Sequence, residues 1–313
     1  MKMTAEQGPH PDQSVSCRLF VILARQAPRA IILRRGPSKW VQLILWHTDD
    51  DRFDYGQWFH GRIYQYTCDL SPDASLFIYF AAKFNAHTLR DRDYTFSWTA
   101  ISKPPYLTAL ALWPKGDIWD GGGMFLDRRT VLLNHDSAHT TAHPAHRPQG
   151  LKIVLRSESH DQQSGGEAGS PLPSACAERL KRDGWELVEE GVWPSFREAR
   201  QRQWQAQIPA TWQKVHPSGR YTLQWMLHAY DLDHLSSMDV SEYVIEDQVG
   251  KTRVPINGAT WAEWDQRGRL VFARDGQLYV TGADMLGSKP VMLADFNGQR
   301  PYQLVAPEWA RRW

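Results

Sequence analysis

Cysteine is scarce in this chain: Cys17, Cys68 and Cys176 are far apart and odd in number, which argues against a disulfide scaffold and fits a reducing, cytoplasmic setting. No stretch approaches the roughly 20 apolar residues needed to span a bilayer. The opening MKMTAEQGPHPDQSVS has no apolar run, so neither a secretory signal nor an anchor is expected. An excess of one charge is lacking too. The 36 basic and 35 acidic residues leave no long-range field to attract nucleic acid or an anionic membrane, so neither is expected as a partner. A Gly-x-Ser-x-Gly elbow, a Cys-x-x-Cys pair and a Walker loop are all absent, which leans away from an enzyme and gives no reason to expect a cofactor.

What is present is a repeated phrase. CDLSPDASLFIYF (68–80), KVHPSGRYTLQW (214–225) and AEWDQRGRLVFA (262–273) each read as an apolar lead-in, a turn and a strand. Aligning Ser71, His216 and Asp265 places Pro72 over Pro217 and Ala74 over Gly219 and Gly268, with apolar runs opening at Leu76, Tyr221 and Leu270. The step from 216 to 265 is 49 residues, and that from 71 to 216 is 145, or three units of about 48; propeller blades run roughly 40–50 residues. Two eroded units are therefore expected in between, at GGGMFLDRRTVLLN (121–134) and LKRDGWELVEEG (180–191). The phrase resembles the Ser-Pro-Asp-Gly turn of TolB-like and WD40-like β-propellers. That resemblance implies four-stranded blades around a channel.

The expected fold is all-β: a β-propeller of five to six blades over residues 17–313, after a disordered leader at 1–16. Strands are expected at 18–25, 30–35, 40–47, 61–70, 76–84, 108–113, 151–157, 269–273, 277–281 and 290–296, with Arg274–Gly276 as a hairpin turn. The Gly- and Ser-rich 158–175 reads as a polar insertion, and 195–208 as a short helical insertion with Ser195 and Glu198 in a capping box. Fifteen tryptophans are spread along the sequence, which favours packing between blades over one aromatic platform.

Three groups carry candidate chemistry. His135, Asp136, His139, His143 and His146 offer imidazoles at four-residue spacing, but Thr140, Thr141 and Pro144 oppose the helix that would align them, so no metal is expected. Asp49, Asp50, Asp51 and Asp54, between Trp46 and Trp58, contain the paired carboxylates of a glycoside hydrolase; their place between strands reads instead as a hairpin tip. The strongest group is a pair of basic loops. Arg34, Arg35, Lys39, Lys103 and Lys115 supply charge, while Trp40, Tyr106, Trp113 and Trp119 supply flat contact area. The expected function is non-catalytic binding of a protein partner or small ligand through this rim. The competing expectation is a hydrolase of a sugar or phosphorylated compound, with carboxylates at the channel mouth.

Overall fold

The computed structural model describes residues 16–156, 172–194, 204–230, 239–282 and 289–313. The described residues are all-β, with strands in five sheets that follow one another along the chain. The first holds β1 (Arg18–Leu23), β2 (Arg29–Arg35), β3 (Trp40–His47) and β4 (Arg52–His60). The second holds β5 (Arg62–Ile63), β6 (Asp69–Leu70), β7 (Phe77–Ala82), β8 (Ser97–Ser102) and β9 (Ala111–Pro114). The third is β10 (Gly123–Phe125), β11 (Thr130–Leu133) and β12 (Lys152–Leu155), the last parallel to its neighbour. Helix α1 (Ser174–Arg182) follows. The fourth sheet is β13 (Glu186–Glu189), β14 (Trp204–Val215), β15 (Tyr221–Tyr230), β16 (Val240–Asp247) and β17 (Thr252–Pro255). The fifth is β18 (Trp261–Trp264), β19 (Arg269–Arg274), β20 (Gln277–Gly282) and β21 (Val291–Asp295).

The near-continuous apolar runs in the middle strands have a direct cause: those strands are buried on both faces. Side chains alternate across a strand, and each face meets a different sheet. In β2, Ile31 and Leu33 pack with Phe77 and Tyr79 of the second sheet, while Ala30 and Ile32 pack with Val271 and Ala273 of the fifth. In β7, Ile78 turns the other way, toward Phe125 and Val131 of the third sheet. In β19, Leu270 and Phe272 meet Trp212, Leu223 and Trp225 of the fourth. Each fully buried large side chain contributes about 1.5–3 kcal/mol.

Helix α1 lies against β10 and β13, placing it between the third and fourth sheets. Its Cys176 and Leu180 join the core of the fourth and fifth sheets. At its C-terminal end Arg182 grips the fully buried Asp69 through two bonds of 2.5 and 2.9 Å and reaches the Phe125 carbonyl at 2.9 Å.

The repeated phrase forms the same turn three times. The N–H groups of Ala74, Gly219 and Gly268 bond back to the carbonyls of Ser71, His216 and Asp265, and all three residues have positive φ, of 61°, 72° and 71°. Ala74 thus occupies a backbone region that favours glycine. The third copy is one residue tighter. Leu70 pairs with Phe77 and Val215 with Thr222, but Trp264 pairs with Leu270, so Leu270 matches Phe77 and Thr222 rather than Leu76 and Tyr221.

The first hairpins of the other two sheets have the same two sizes. Ala24 N–H closes on the Arg29 carbonyl, as Ser71 does on Leu76, and Leu126 N–H closes on Thr130, as Asp265 does on Arg269. The unit at 121–134 is therefore a hairpin of its own sheet. That at 180–191 is not a separate unit: 174–182 is helical, and Glu186–Glu189 pairs with β14, inside the sheet that carries the His216 turn.

Other expectations differ in detail. The strand expected at 61–70 breaks into β5 and β6 around a 3-10 turn at Gln65–Thr67. Arg274–Gly276 is the expected tight turn, with Asp275 and Gly276 both at positive φ. The helix expected at 195–208 lies outside the described residues as far as 203, and 204–208 belongs to β14. Of the insertion expected at 158–175, residues 158–171 lie outside the described residues and Ser174 begins α1; the leader lies outside them up to residue 15. Among the described residues no helix is long and apolar enough to cross a membrane.

Candidate functional site

The pleat separates the adjacent arginines at the end of β2. Arg34 turns toward the fifth sheet, where it is fully buried and donates to the carbonyls of Phe296 (2.8 Å), Gln299 (3.3 Å) and Gly36, with Trp58 stacked 5.0 Å away. Arg35 turns toward the second sheet and donates to the Ile63 carbonyl at 2.7 Å. Beside it opens a cleft of about 930 Å³. Arg18, Arg35, Lys39, Arg62 and Lys83 line it with His60, and Asp275 is the one carboxylate among its described lining residues.

Antiparallel register assembles these charges. Arg18 at the start of β1 pairs with Arg35 at the end of β2, and Arg62 at the start of β5 pairs with Ala82, beside Lys83. Arg62 stacks over the Tyr64 ring at 4.9 Å. The β2–β3 loop is held by Gly36 N–H on the Trp40 carbonyl and Trp40 N–H on Pro37, and the Lys39 carbonyl accepts from Gly61, fixing exposed Lys39 above the cleft. Gly36 has φ +122°, and a Cβ there would come within 2.7 Å of the Ser16 carbonyl oxygen.

The cations feel one another. Burial, and then the neighbouring Arg62 charge, push the Arg35 guanidinium down to about 10, against the opposing pull of Asp239. Two unit charges 4 Å apart near a protein surface interact by about 4 kcal/mol, so an anion placed among these groups relieves repulsion while gaining charge-assisted hydrogen bonds.

The other residues singled out in the sequence lie elsewhere. Trp40 packs on His60 (4.6 Å) and Trp58 (6.4 Å), beside the cleft without lining it. Lys103 donates to the carbonyls of Trp309 and Arg312, and Tyr106 meets the Trp309 ring edge-on, so both anchor the C-terminal segment. Trp113 is buried in the core between the second and third sheets, and Trp119 is exposed.

Lys115 is buried, its ammonium 3.0 Å from Asp117, 2.8 Å from Asp136 and 3.3 Å from His139 Nδ1. Asp117, Asp136 and His139 have the spacing of a metal site, but this ammonium already supplies the positive charge among them. The remaining histidines do not converge on it. His143 stacks on Tyr94 with His146 at that ring's edge, and buried His135 lies between the Thr99 hydroxyl and the His139 carbonyl.

The acidic run lies at the tip of the β3–β4 hairpin and runs into β4. Asp51 accepts two bonds from Arg269 and one from the Trp46 indole, joining the first and fifth sheets, and these hydrogen bonds hold its carboxyl below the usual range despite partial burial. Asp54 pairs with His47 and Arg52. Neither the cleft beside Arg35 nor a second cavity of about 460 Å³ is lined by Asp49, Asp51, Asp54, Asp117 or Asp120.

Compared with known proteins, the chain matches no family model and no curated protein. The cleft residues that sequence reasoning missed are Arg18, His60, Arg62 and Lys83. Arg18 and Lys83 carry a signal, a charge at the end of an apolar run. His60, closing the mixed β4, and Arg62, opening the two-residue β5, carry none, and only the strand pairing makes them neighbours.

Proposed function

We propose that the chain is a five-bladed β-propeller that binds, without catalysing a reaction, an anionic group of a protein partner or small ligand in the cleft beside β2. The propeller reading is supported by the packing sequence: first on second, second on third, fourth on fifth and fifth on first, with α1 between third and fourth. The corresponding hairpin turns of four sheets also touch one another. The Gln266 side chain donates to the carbonyls of Ala24, Ala27 and Arg29, Gln26 N–H bonds to the Pro72 carbonyl, and His216 to that of Gly268. Such contacts suit blades whose matching turns gather at one end of a channel.

The observation that carries the functional reading is Arg35, Lys39 and Lys83 gathered with Arg18 and Arg62 on the lining of a volume of small-ligand size. A hydrolase has less support, because Asp51, Asp54 and Asp117 each sit in an ion pair away from either cavity. The three free, buried thiols suit a reducing, cytoplasmic setting.

Calorimetric titration of the full chain with poly-L-glutamate and with tripolyphosphate tests the reading. Binding is expected to weaken with added salt and to be lost in Lys39→Glu/Lys83→Glu. Absence of binding to both anions, or equal binding by the double variant, would rule the cleft out.

A further inference from the structure

A second cavity, of about 460 Å³, lies between α1, β1 and β18 and shares only Thr260 with the cationic cleft. Its walls include Phe20, Trp185, Trp225, Tyr243 and Trp264. Most of the charges on its lining are satisfied. Arg182 holds Asp69 and Asp183, Lys214 lies 3.1 Å from Glu263, whose other oxygen accepts from the Trp185 indole at 2.7 Å, and Asp265 is paired with Arg269.

Two arginines differ. Arg25 donates to the Phe125 carbonyl at 2.8 Å, and Arg179, only 8% exposed, has Cys176 Sγ at 4.0 Å as its hydrogen-bond contact. The Nε–H of each is buried without an acceptor among the described residues. The Arg179 guanidinium otherwise faces the Phe20 ring, 5.8 Å from its centroid.

A buried donor without an acceptor costs about 1–3 kcal/mol, and more when it belongs to a charged group. The Arg179 guanidinium, which lines the cavity and has no oxygen acceptor among the described residues, therefore marks a place for acceptor oxygens, with Arg25 on the same wall. Asp69 and Asp183 bear on what kind: both contribute, with Arg182 opposing them, to the electrostatic surroundings of Arg25 and Arg179, and each added negative charge on a ligand adds repulsion from these carboxylates, which favours one charge over two. The aromatic walls in turn select a flat apolar body over a compact inorganic ion.

We propose that this cavity binds a small monocarboxylate with a planar apolar body, its carboxylate on Arg179 with Arg25 in support and its body against the Trp185 and Trp225 rings. The site is separate from the cationic cleft and does not rest on it.

Tryptophan fluorescence and thermal shift of the full chain, titrated with benzoate and with indole-3-acetate, test the proposal. Both carboxylates are expected to bind saturably, with benzamide and inorganic phosphate at least about tenfold weaker. Arg179→Gln is expected to lose benzoate binding, and Arg179→Lys to keep part of it. Poly-glutamate binding at the cleft is measured alongside, so that failure of one site is distinguishable from failure of the other. No saturable signal from either carboxylate, which would leave a cavity filled by water alone, overturns the proposal. So does equal binding of benzamide or phosphate, or undiminished binding in Arg179→Gln. The comparison of benzoate with benzamide in the unaltered protein decides the matter even if the Arg179 variants do not fold.

Discussion

Replacing Asp69 by alanine should damage this protein more than any exposed substitution of similar size. Its carboxylate is fully buried and accepts the Phe125 N–H at 2.7 Å as well as both terminal nitrogens of Arg182, so it joins the second sheet, the third sheet and α1 at one point. Removing one partner of a buried ion pair costs about 3–5 kcal/mol, and the orphaned Phe125 N–H adds about 1–3 kcal/mol. Asp183, which holds Arg182 through bonds of 2.8 and 3.0 Å, offsets part of this by keeping the guanidinium paired. The expected loss for Asp69→Ala is therefore about 3–5 kcal/mol in total. Asp69→Asn retains an acceptor for Phe125 but turns an amide against the guanidinium, for an expected loss of about 2 kcal/mol. Urea unfolding followed by tryptophan fluorescence measures both. A double-mutant cycle with Arg182→Met should give a coupling of at least about 2 kcal/mol. A loss below about 1 kcal/mol for Asp69→Ala, or single-variant losses that simply add, would refute the reasoning.

Gly219 and Gly268 share a positive φ, but a Cβ at Gly219 meets open space while one at Gly268 comes within 3.0 Å of His216 Nε2. Gly219→Ala should cost about 1 kcal/mol from backbone strain and Gly268→Ala about 2 kcal/mol once a hydrogen bond is lost as well, a ranking that urea melts will check. His135 is held neutral because burial pushes its pKa down to about 4, against the pull of its bond to the His139 carbonyl. The unfolded chain takes up that proton first, so stability is full above about pH 6.5, falls as pH drops toward 4, and is lower by up to about 3 kcal/mol below that; unfolding free energies across this window should have a shallower slope in His135→Gln. Burial raises the thiols of Cys17 to about 11 and of Cys68 to about 12, and Cys176 shifts the same way. A disulfide reagent at pH 8 should thus label none of the three in the native protein and all three in urea.

The two cavities divide the chemistry of the fold. The cleft gathers charges from strand ends, where antiparallel pairing sets Arg18 against Arg35 and brings Arg62 beside Lys83. The inner cavity depends on α1, whose residues Cys176, Arg179 and Leu180 turn inward at helical spacing. Arg182 on Asp69 sets the position of that helix, so the Asp69 variants should also weaken whatever binds at Arg179.

Local patterns were legible because local interactions set them. The turns at Ser71, His216 and Asp265 close within five residues, and their Pro, Ser, Asp and Gly content follows from the φ values and hydrogen bonds of the turn itself. Runs such as AIIL and LFIYFAA announce strands buried on both faces, which fixed the all-β character. The matching turn at 24–29 went unseen because it closes through the same bond without Gly or a Ser-Pro signature. Helix α1 was hidden by its polar surroundings, since its inward face includes an arginine.

By itself, then, the sequence determined the all-β character, many of the strands and the recurrent turn, each governed by residues close together in the chain or by the need to hide apolar surface. Only the tertiary structure decided that Arg34 is consumed by carbonyls while its neighbour Arg35 faces a cleft, that Lys115 fills an acidic pocket, and that Arg25 and Arg179 line one cavity. Those outcomes depend on which sheet lies against which face. A pleat sends adjacent side chains to opposite neighbours, and the identity of those neighbours is set by contacts that link residues as far apart as Arg34 and Phe296.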